Sequence, residues 1–219
     1  MFIVFDGPDG TGKSTQIALL KEKLESAGAR VTVTREPGGC PLSEKIRLLL
    51  LDPQNRGMDP MAEALLYAAA RAQHLEDTVL PALARGETVL CDRYLLSSLA
   101  YQGYGRELGT DWILSINRAA LEKAMPDATF LFEMDAKTAM DRKRVQSGHE
   151  LDRIELEKAA FHRRVAEGFD LCRSAYPDIY ALDAAQTVEE IRDRIWRVIA
   201  QLQKRGSSCI IDSGTRAEP

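Results

Sequence analysis

The residues Gly7-Pro8-Asp9-Gly10-Thr11-Gly12-Lys13-Ser14 put three glycines, a lysine and two hydroxyls into eight positions spaced G-x-x-x-x-G-K-S. Glycines allow successive backbone N–H groups to turn inward and cradle an anion. A helix beginning directly behind them adds unpaired donors and a partial positive charge. The chemistry of this spacing is phosphate binding: Lys13 would reach the β- and γ-phosphates of a nucleoside triphosphate, and the Ser14 hydroxyl would ligate Mg²⁺. With glycine near ~7% of residues, a chance match is roughly a one-in-a-hundred event for a chain this long. The motif alone does not separate kinases from GTPases or motor ATPases.

Two other places carry chemistry. Asp92 follows Thr88-Val89-Leu90-Cys91. A carboxylate at such a strand end either holds Mg²⁺ through water or serves a turn. The stretch from Arg142 to Arg153 is dense in charge and contains Gly148, the composition of an exposed, movable segment or of a solvated helix.

Short apolar runs alternating with helical patterns must position these groups. Phe2-Ile3-Val4-Phe5 reads as a buried strand ended by Asp6-Gly7, and Ile17, Leu20, Leu24 and Ala27 recur at helical spacing before Gly28, the left-handed cap position. Further strands are expected at 31–34, 88–91, 128–133 and 179–182. Helices are expected at about 42–51, 60–85, 95–102, 111–124, from 136, and 154–175. A capping box at Thr187-Val188-Glu189-Glu190 opens a last helix with Val188, Ile191, Ile195, Val198, Ile199 and Leu202 on one face. The pattern is lost from Gly206, so residues 1–205 read as a single domain with a disordered tail at 206–219. Five strands alternating with helices imply a mostly parallel sheet covered on both faces.

Composition narrows the partners. The formal net charge of −4 argues against a nucleic-acid duplex or an anionic membrane as main partner. Cys40, Cys91, Cys172 and Cys209 are scattered, with no C-x-x-C pair, which suits a reducing compartment. No apolar run approaches the ~18 residues of a membrane span. The expectation is a cytoplasmic protein.

Several segments around the phosphate loop carry a resemblance. Thr34-Arg35-Glu36-Pro37-Gly38-Gly39 is followed by Pro41-Leu42-Ser43-Glu44-Lys45-Ile46-Arg47; then come Leu66-Tyr67-Ala68-Ala69-Ala70-Arg71-Ala72-Gln73-His74 and Asp92-Arg93-Tyr94. Ser97-Ser98, Ala100-Tyr101-Gln102-Gly103, Leu151-Asp152-Arg153-Ile154-Glu155 and Asp183-Ala184 complete the set. In this order and spacing the chain resembles the thymidylate kinase family over most of residues 2–190. Cys40, Ala70 and Gln146-Ser147-Gly148-His149 depart from the family's usual pattern, the last leaving the main lid arginine open.

The resemblance implies an α/β fold of the P-loop NTPase type: a three-layer sandwich with a five-stranded sheet and a lid at about 142–153. It implies transfer of a phosphoryl group from MgATP to dTMP in dTTP synthesis, with Mg²⁺ as the metal and a homodimer as the assembly. Gly7, Gly10, Thr11, Gly12, Lys13, Ser14 and Thr15 would bind ATP, and Ser14 and Asp92 would serve the metal. Tyr67 would stack on thymine and Arg71 would donate to its O4; the alternative is a core aromatic beside a surface arginine. Arg93 would hold the acceptor phosphate, with Ser98 and Gln102 as polar contacts to the base. Tyr101 would lie beneath the deoxyribose, or be a core tyrosine. Asp9 would sit near the acceptor sugar and metal, or be a turn carboxylate. Because Asp9 offers the phosphoryl group no cation, a lid arginine would do so; of Arg142, Lys143, Arg144 and Arg153, the first and last align best. With Lys13 and Arg93 they form the expected catalytic set. The nearest rival is a kinase acting on another nucleoside monophosphate. A GTP-driven switch is the rival of a different class, and the chain lacks the Asn-Lys-x-Asp segment such switches carry.

Overall fold

No residue of the first strand reaches solvent, because it is the middle of the sheet. In the computed structural model β1 (Phe2–Asp6) lies between β3 (Thr88–Asp92) and β4 (Ala128–Glu133), while β2 (Val31–Arg35) and β5 (Ile179–Asp183) form the edges. Every ladder is parallel, in register Phe2↔Val89 and Ile3↔Ala128 around the central strand. A strand covered on both faces needs side chains that are apolar in both directions, and Phe2-Ile3-Val4-Phe5 supplies them. The structure describes residues 1–134, 138, 142, 151–175 and 178–212, with side chains left aside at 174–175 and 205–212.

Alternation along the strands splits the core in two. Ile3, Phe5, Leu90, Phe130 and Phe132 face α1 (Lys13–Ser26) and α8 (Val188–Asp212). Phe2, Val4, Val89, Cys91 and Leu131 face the opposite layer. That layer contains α2 (Pro41–Leu51), α3 (Pro60–His74), α4 (Leu80–Ala84), α5 (Leu95–Ser98), α6 (Thr110–Leu121) and α7 (Ala159–Ala175). Helices on both faces of a five-stranded parallel sheet make the expected three-layer sandwich.

Local signals explain several boundaries. Gly28, at φ +83°, ends α1: its N–H donates to Glu25 O (2.9 Å) and that of Ala29 to Leu24 O (3.0 Å), a Schellman closure. The capping box before α8 is formed in both directions, Thr187 N–H to Glu190 Oε2 (2.9 Å) and Glu190 N–H to Thr187 Oγ1 (3.3 Å).

Other boundaries depart from the pattern. The expected helix over 60–85 is α3 and α4 joined by a π turn, Leu75–Val79. The one expected over 95–102 is α5 running into a π turn, Leu99–Gly105. That turn lies tight on α7, where a Cβ on Gly105 would come within 2.7 Å of Phe161 and one on Gly168 within 2.8 Å of Tyr104. The helix expected from 154 begins at Ala159, because Asp152 Oδ1 accepts the N–H groups of Ile154 and Glu155 (both 2.9 Å) and curls the chain into a turn. The last helix continues past Gly206 to Asp212. Most of the expected lid, 143–150, and residues 213–219 of the expected tail lie outside the described residues. Among the described residues no helix is long and apolar enough to cross a membrane.

Candidate active site

The chain leaves β1 through Gly7, at φ +126°, where a Cβ would lie 2.4 Å from Phe132 O of β4. Only glycine lets the loop pass this close to the neighbouring strand. Gly12, at φ +91°, is the N-cap of α1, and no side chain caps that helix. Its first N–H groups are thus left for an anion. Lys13 is buried and folds back over the loop, donating from Nζ to Gly7 O (3.1 Å) and Pro8 O (2.7 Å). Burial, and secondarily the charge of Arg93, lower its pKa to about 8. Ser14 and Thr15 are exposed on the first turn.

An open groove of about 610 Å³ runs from Gly10, Gly12 and Thr15 to Arg142, Ala184 and Val188. Gln16 Nε2 donates to Val188 O (2.8 Å) and Arg142 Nη1 to Ala184 O (2.9 Å). Arg142 therefore stands across the groove from the phosphate cradle, with its guanidinium on the β5–α8 loop.

A second cavity, of about 170 Å³, reaches the same loop at Asp9 and gathers Tyr67, Arg71, Arg93, Ser98, Tyr101 and Gln102 into its walls. Four elements contribute, and Arg71, Arg93, Ser98, Tyr101 and Gln102 are each held from behind. Arg93 has φ +72°, a conformation that costs a non-glycine residue about 1–3 kcal/mol and persists only where surroundings dictate it. Its N–H donates to Phe5 O (2.8 Å). Asp6, fully buried, fixes the residues that follow: Oδ2 accepts from Tyr94 N (3.2 Å) and Ser97 N (3.1 Å), and Oδ1 from Ser97 Oγ (2.5 Å). Burial pushes the Asp6 pKa up, opposed mainly by Arg93.

The Arg93 guanidinium reaches Asp9 Oδ1 (2.5 Å) and Ser97 Oγ (2.8 Å) and lies 5.4 Å over the Tyr101 ring. Its pKa stands well above the usual value: burial pulls it down, and Asp9, Tyr101 and Asp6 more than offset this. Tyr101 packs on Phe161 and Phe169 (centroids 6.2 and 6.0 Å), and burial pushes its pKa up to about 12.

Arg71 is 2% exposed, so the surface-arginine alternative does not hold. Nε donates to Glu36 Oε2 (2.8 Å), Nη1 to Asn117 Oδ1 (2.6 Å) and Nη2 to Ser98 Oγ (2.9 Å). Behind Glu36 stands His74, Nδ1 at 3.0 Å from Glu36 Oε1 and Nε2 at 2.7 Å from Thr34 Oγ1. Ser98 thus lines the cavity while accepting from Arg71, and Gln102 lines it while donating to Glu63 (2.8 Å). Tyr67, in the same wall, has a pKa raised by burial and by Glu63.

Arg153, expected to face the transferring phosphoryl group, sits here in the wall beside Glu63, with Nη2 buried and without a partner among the described residues. It is 3% exposed; Nη1 pairs with Glu63 Oε2 (2.8 Å) and Nε donates to Leu50 O (2.7 Å). The guanidinium thus joins a carboxylate of α3 to a carbonyl near the end of α2. For the metal, Asp92 Oδ1 is buried without a partner among the described residues, and the Ser14 hydroxyl is exposed on the first turn of α1. Both are hard oxygen donors of the kind Mg²⁺ accepts.

The motif reading gave no role to Asp6, Glu36 and His74, which stand within its segments, and did not single out Glu63, Arg106 and Asn117; all lie behind the first ring. Asn117 did leave a signal: it is a polar residue four after Ile113 and three before Ala120, on a face that is otherwise buried and apolar.

A thymidylate kinase family model matches residues 5–195. The thymidylate kinase of Bacillus pumilus is 44% identical over 206 residues, covering 94% of this chain and 97% of that protein. That of Exiguobacterium sp. is 46% identical over 208 residues, covering 94% and 97%. The crystal structure of thymidylate kinase from Ehrlichia chaffeensis superposes with a TM-score of 0.72 at 30% identity, covering 91% of this chain and 98% of that one. The family match runs from the strand that feeds the phosphate loop to the helix that closes the groove, and on it the chain belongs to the thymidylate kinase family and is a phosphotransferase.

Proposed function

We propose that the protein transfers the γ-phosphoryl group of MgATP directly to dTMP, giving dTDP for dTTP synthesis in the cytoplasm. One observation carries this: the cavity holding Tyr67, Arg71, Arg93 and Tyr101 and the nucleotide groove meet at the same loop. Tyr67 stacks on the base, Arg71 donates to its O4 with Ser98 and Gln102 beside it, and Tyr101 lies beneath the sugar. Arg93, released from Asp9 in part, holds the acceptor phosphate.

Phosphoryl transfer asks little covalent chemistry of a protein, so positioning and charge stabilisation do most of the catalysis. Lys13 and Arg142 stabilise charge on the transferring group, and Arg93 aligns the acceptor. No general base is needed, because a phosphate monoester is largely ionised near neutral pH. Ser14 and Asp92 would hold Mg²⁺ bound with ATP, which would neutralise phosphate charge there.

The test is ADP production from MgATP with dTMP, dUMP, UMP, dCMP, AMP and GMP side by side. A strong preference for dTMP is expected, with dUMP a poorer acceptor, since one methyl in an apolar pocket is worth about 1–3 kcal/mol. Preference for another acceptor would overturn the roles of Tyr67 and Arg71; turnover without any acceptor would overturn the kinase reaction. The proposed assembly is a homodimer, supported by Leu48, Leu49, Met61 and Leu65 exposed on the adjoining helices α2 and α3. Light scattering that returns a monomer mass would remove it.

A further inference from the structure

Glu63 has no role in the mechanism above, yet it is 0% exposed and holds two guanidinium groups. Its Oε1 accepts from Gln102 Nε2 (2.8 Å) and Arg106 Nε (3.1 Å), and its Oε2 from Arg106 Nη2 (2.9 Å) and Arg153 Nη1 (2.8 Å). An unpaired carboxylate this deep would cost several kcal/mol, so the cluster stands or falls together.

Its partners come from separate places. Gln102 is in the wall of the acceptor cavity. Arg106, after the second π turn, also binds Glu157 (2.6 Å) and lies 4.5 Å over the Phe161 ring. Arg153 belongs to the turn whose other residues, Asp152, Ile154 and Glu155, line that same cavity. The turn is otherwise held to the end of α2 by Arg153 N–H to Leu51 O (3.0 Å) and Arg153 Nε to Leu50 O (2.7 Å). Tyr67 lies one helical turn beyond Glu63 on α3, so one carboxylate ties the base-stacking helix to the opposite wall.

We propose that Glu63 is a positioning residue for the acceptor site, holding the 152–157 turn through Arg153 and Arg106 as the wall that keeps the acceptor in register with the phosphate loop. This rests on the acceptor role proposed for that cavity. The charge is essential to the device: a glutamine there would turn N–H donors toward two cations that need acceptors.

The test uses Glu63→Gln, Arg153→Met and Arg153→Lys in the full chain, with steady-state kinetics and amide hydrogen exchange over 152–157 measured without nucleotide. The first two variants are expected to lower kcat/KM for the acceptor by about 10²-fold, chiefly through acceptor KM, as for a misplaced substrate-positioning group. MgATP KM stays at the wild-type value, and the amides of Arg153, Ile154, Glu155 and Leu156 exchange faster. Arg153→Lys, which keeps the pair with Glu63, recovers most of the loss.

Folded variants with wild-type acceptor KM and wild-type exchange would reduce the cluster to a stabilising ion pair and overturn the proposal. A fall in kcat alone on Arg153→Met, with exchange unchanged, would overturn it by returning Arg153 to the transferring phosphoryl group. If Glu63→Gln fails to fold, Arg153→Met still decides, because it leaves Glu63 paired with Arg106. Should the wild type not accept dTMP, the substrate reading fails visibly in the uncorrected rate, while the nucleotide-free exchange still reports on Glu63.

Discussion

The two halves of the proposed site, donor and acceptor, are made of different material. The donor half is largely backbone: a glycine-bearing loop, an uncapped helix end, one lysine that bends back on its own loop, and an open groove. The acceptor half is side chains held by buried groups behind them: Arg71 by Glu36 and Asn117, Arg93 by Asp6 (with the half-exposed Asp9 on its other side), Gln102 by Glu63. Phosphate looks alike in every nucleotide, so backbone donors suffice for it. On the proposed reaction a base and a deoxyribose must be told from near relatives, and that needs placed side chains.

The sharpest way to break this contrast is to damage each half once. Lys13→Met should lower kcat by about 10²–10³-fold, as for loss of one preorganised charge-stabilising donor. Acceptor KM and thermal stability should hold, because the buried ammonium is disfavoured in the fold, as its lowered pKa states. A fall in Tm would show that the donor half has a structural job as well. Glu36→Gln should do the opposite: with Arg71 left buried beside a neutral group, stability falls by about 3–5 kcal/mol in denaturant unfolding. Acceptor KM should rise with it while MgATP KM does not; equal changes in both would erase the distinction.

The smallest effect expected is one of pH. In the protein without nucleotide, the Lys13 ammonium is lost as pH rises through about 8. Phosphate binding needs the charged form, so MgATP KM is flat on the acid side of that value and climbs by up to about tenfold per unit on the alkaline side. Binding should raise the lysine pKa, so that MgATP binding is accompanied by proton uptake on Lys13 above neutrality, measurable as a buffer-dependent heat. Acceptor KM lacking that inflection would keep the halves distinct.

The same contrast decides what could be read from the residues. The donor half is contiguous, so Gly7 to Ser14 announce it, and β1 and α1 frame it by periodicity alone. The first ring of the acceptor half was legible only through resemblance. What lies behind it was not, because Glu36, Glu63 and Asn117 meet their partners across 35, 39 and 46 residues of chain. Nothing in a local window distinguishes Glu63 from an exposed first-turn glutamate placed for the helix dipole. The two π turns escaped for a related reason: Leu75–Val79 and Leu99–Gly105 keep a helical apolar spacing, and tertiary packing selects the wider turn.

The hydrogen bond from Gln16 to Val188 spans 172 residues of chain, and this bears on how the protein is born. A ribosome makes the phosphate cradle well before the far wall of its groove, by on the order of ten to thirty seconds at ~5–20 residues per second. Through the greater part of that interval β1 also lacks β4, the strand against which Gly7 is seated. Until then the nascent chain carries the triphosphate signature without the pocket that the far wall completes.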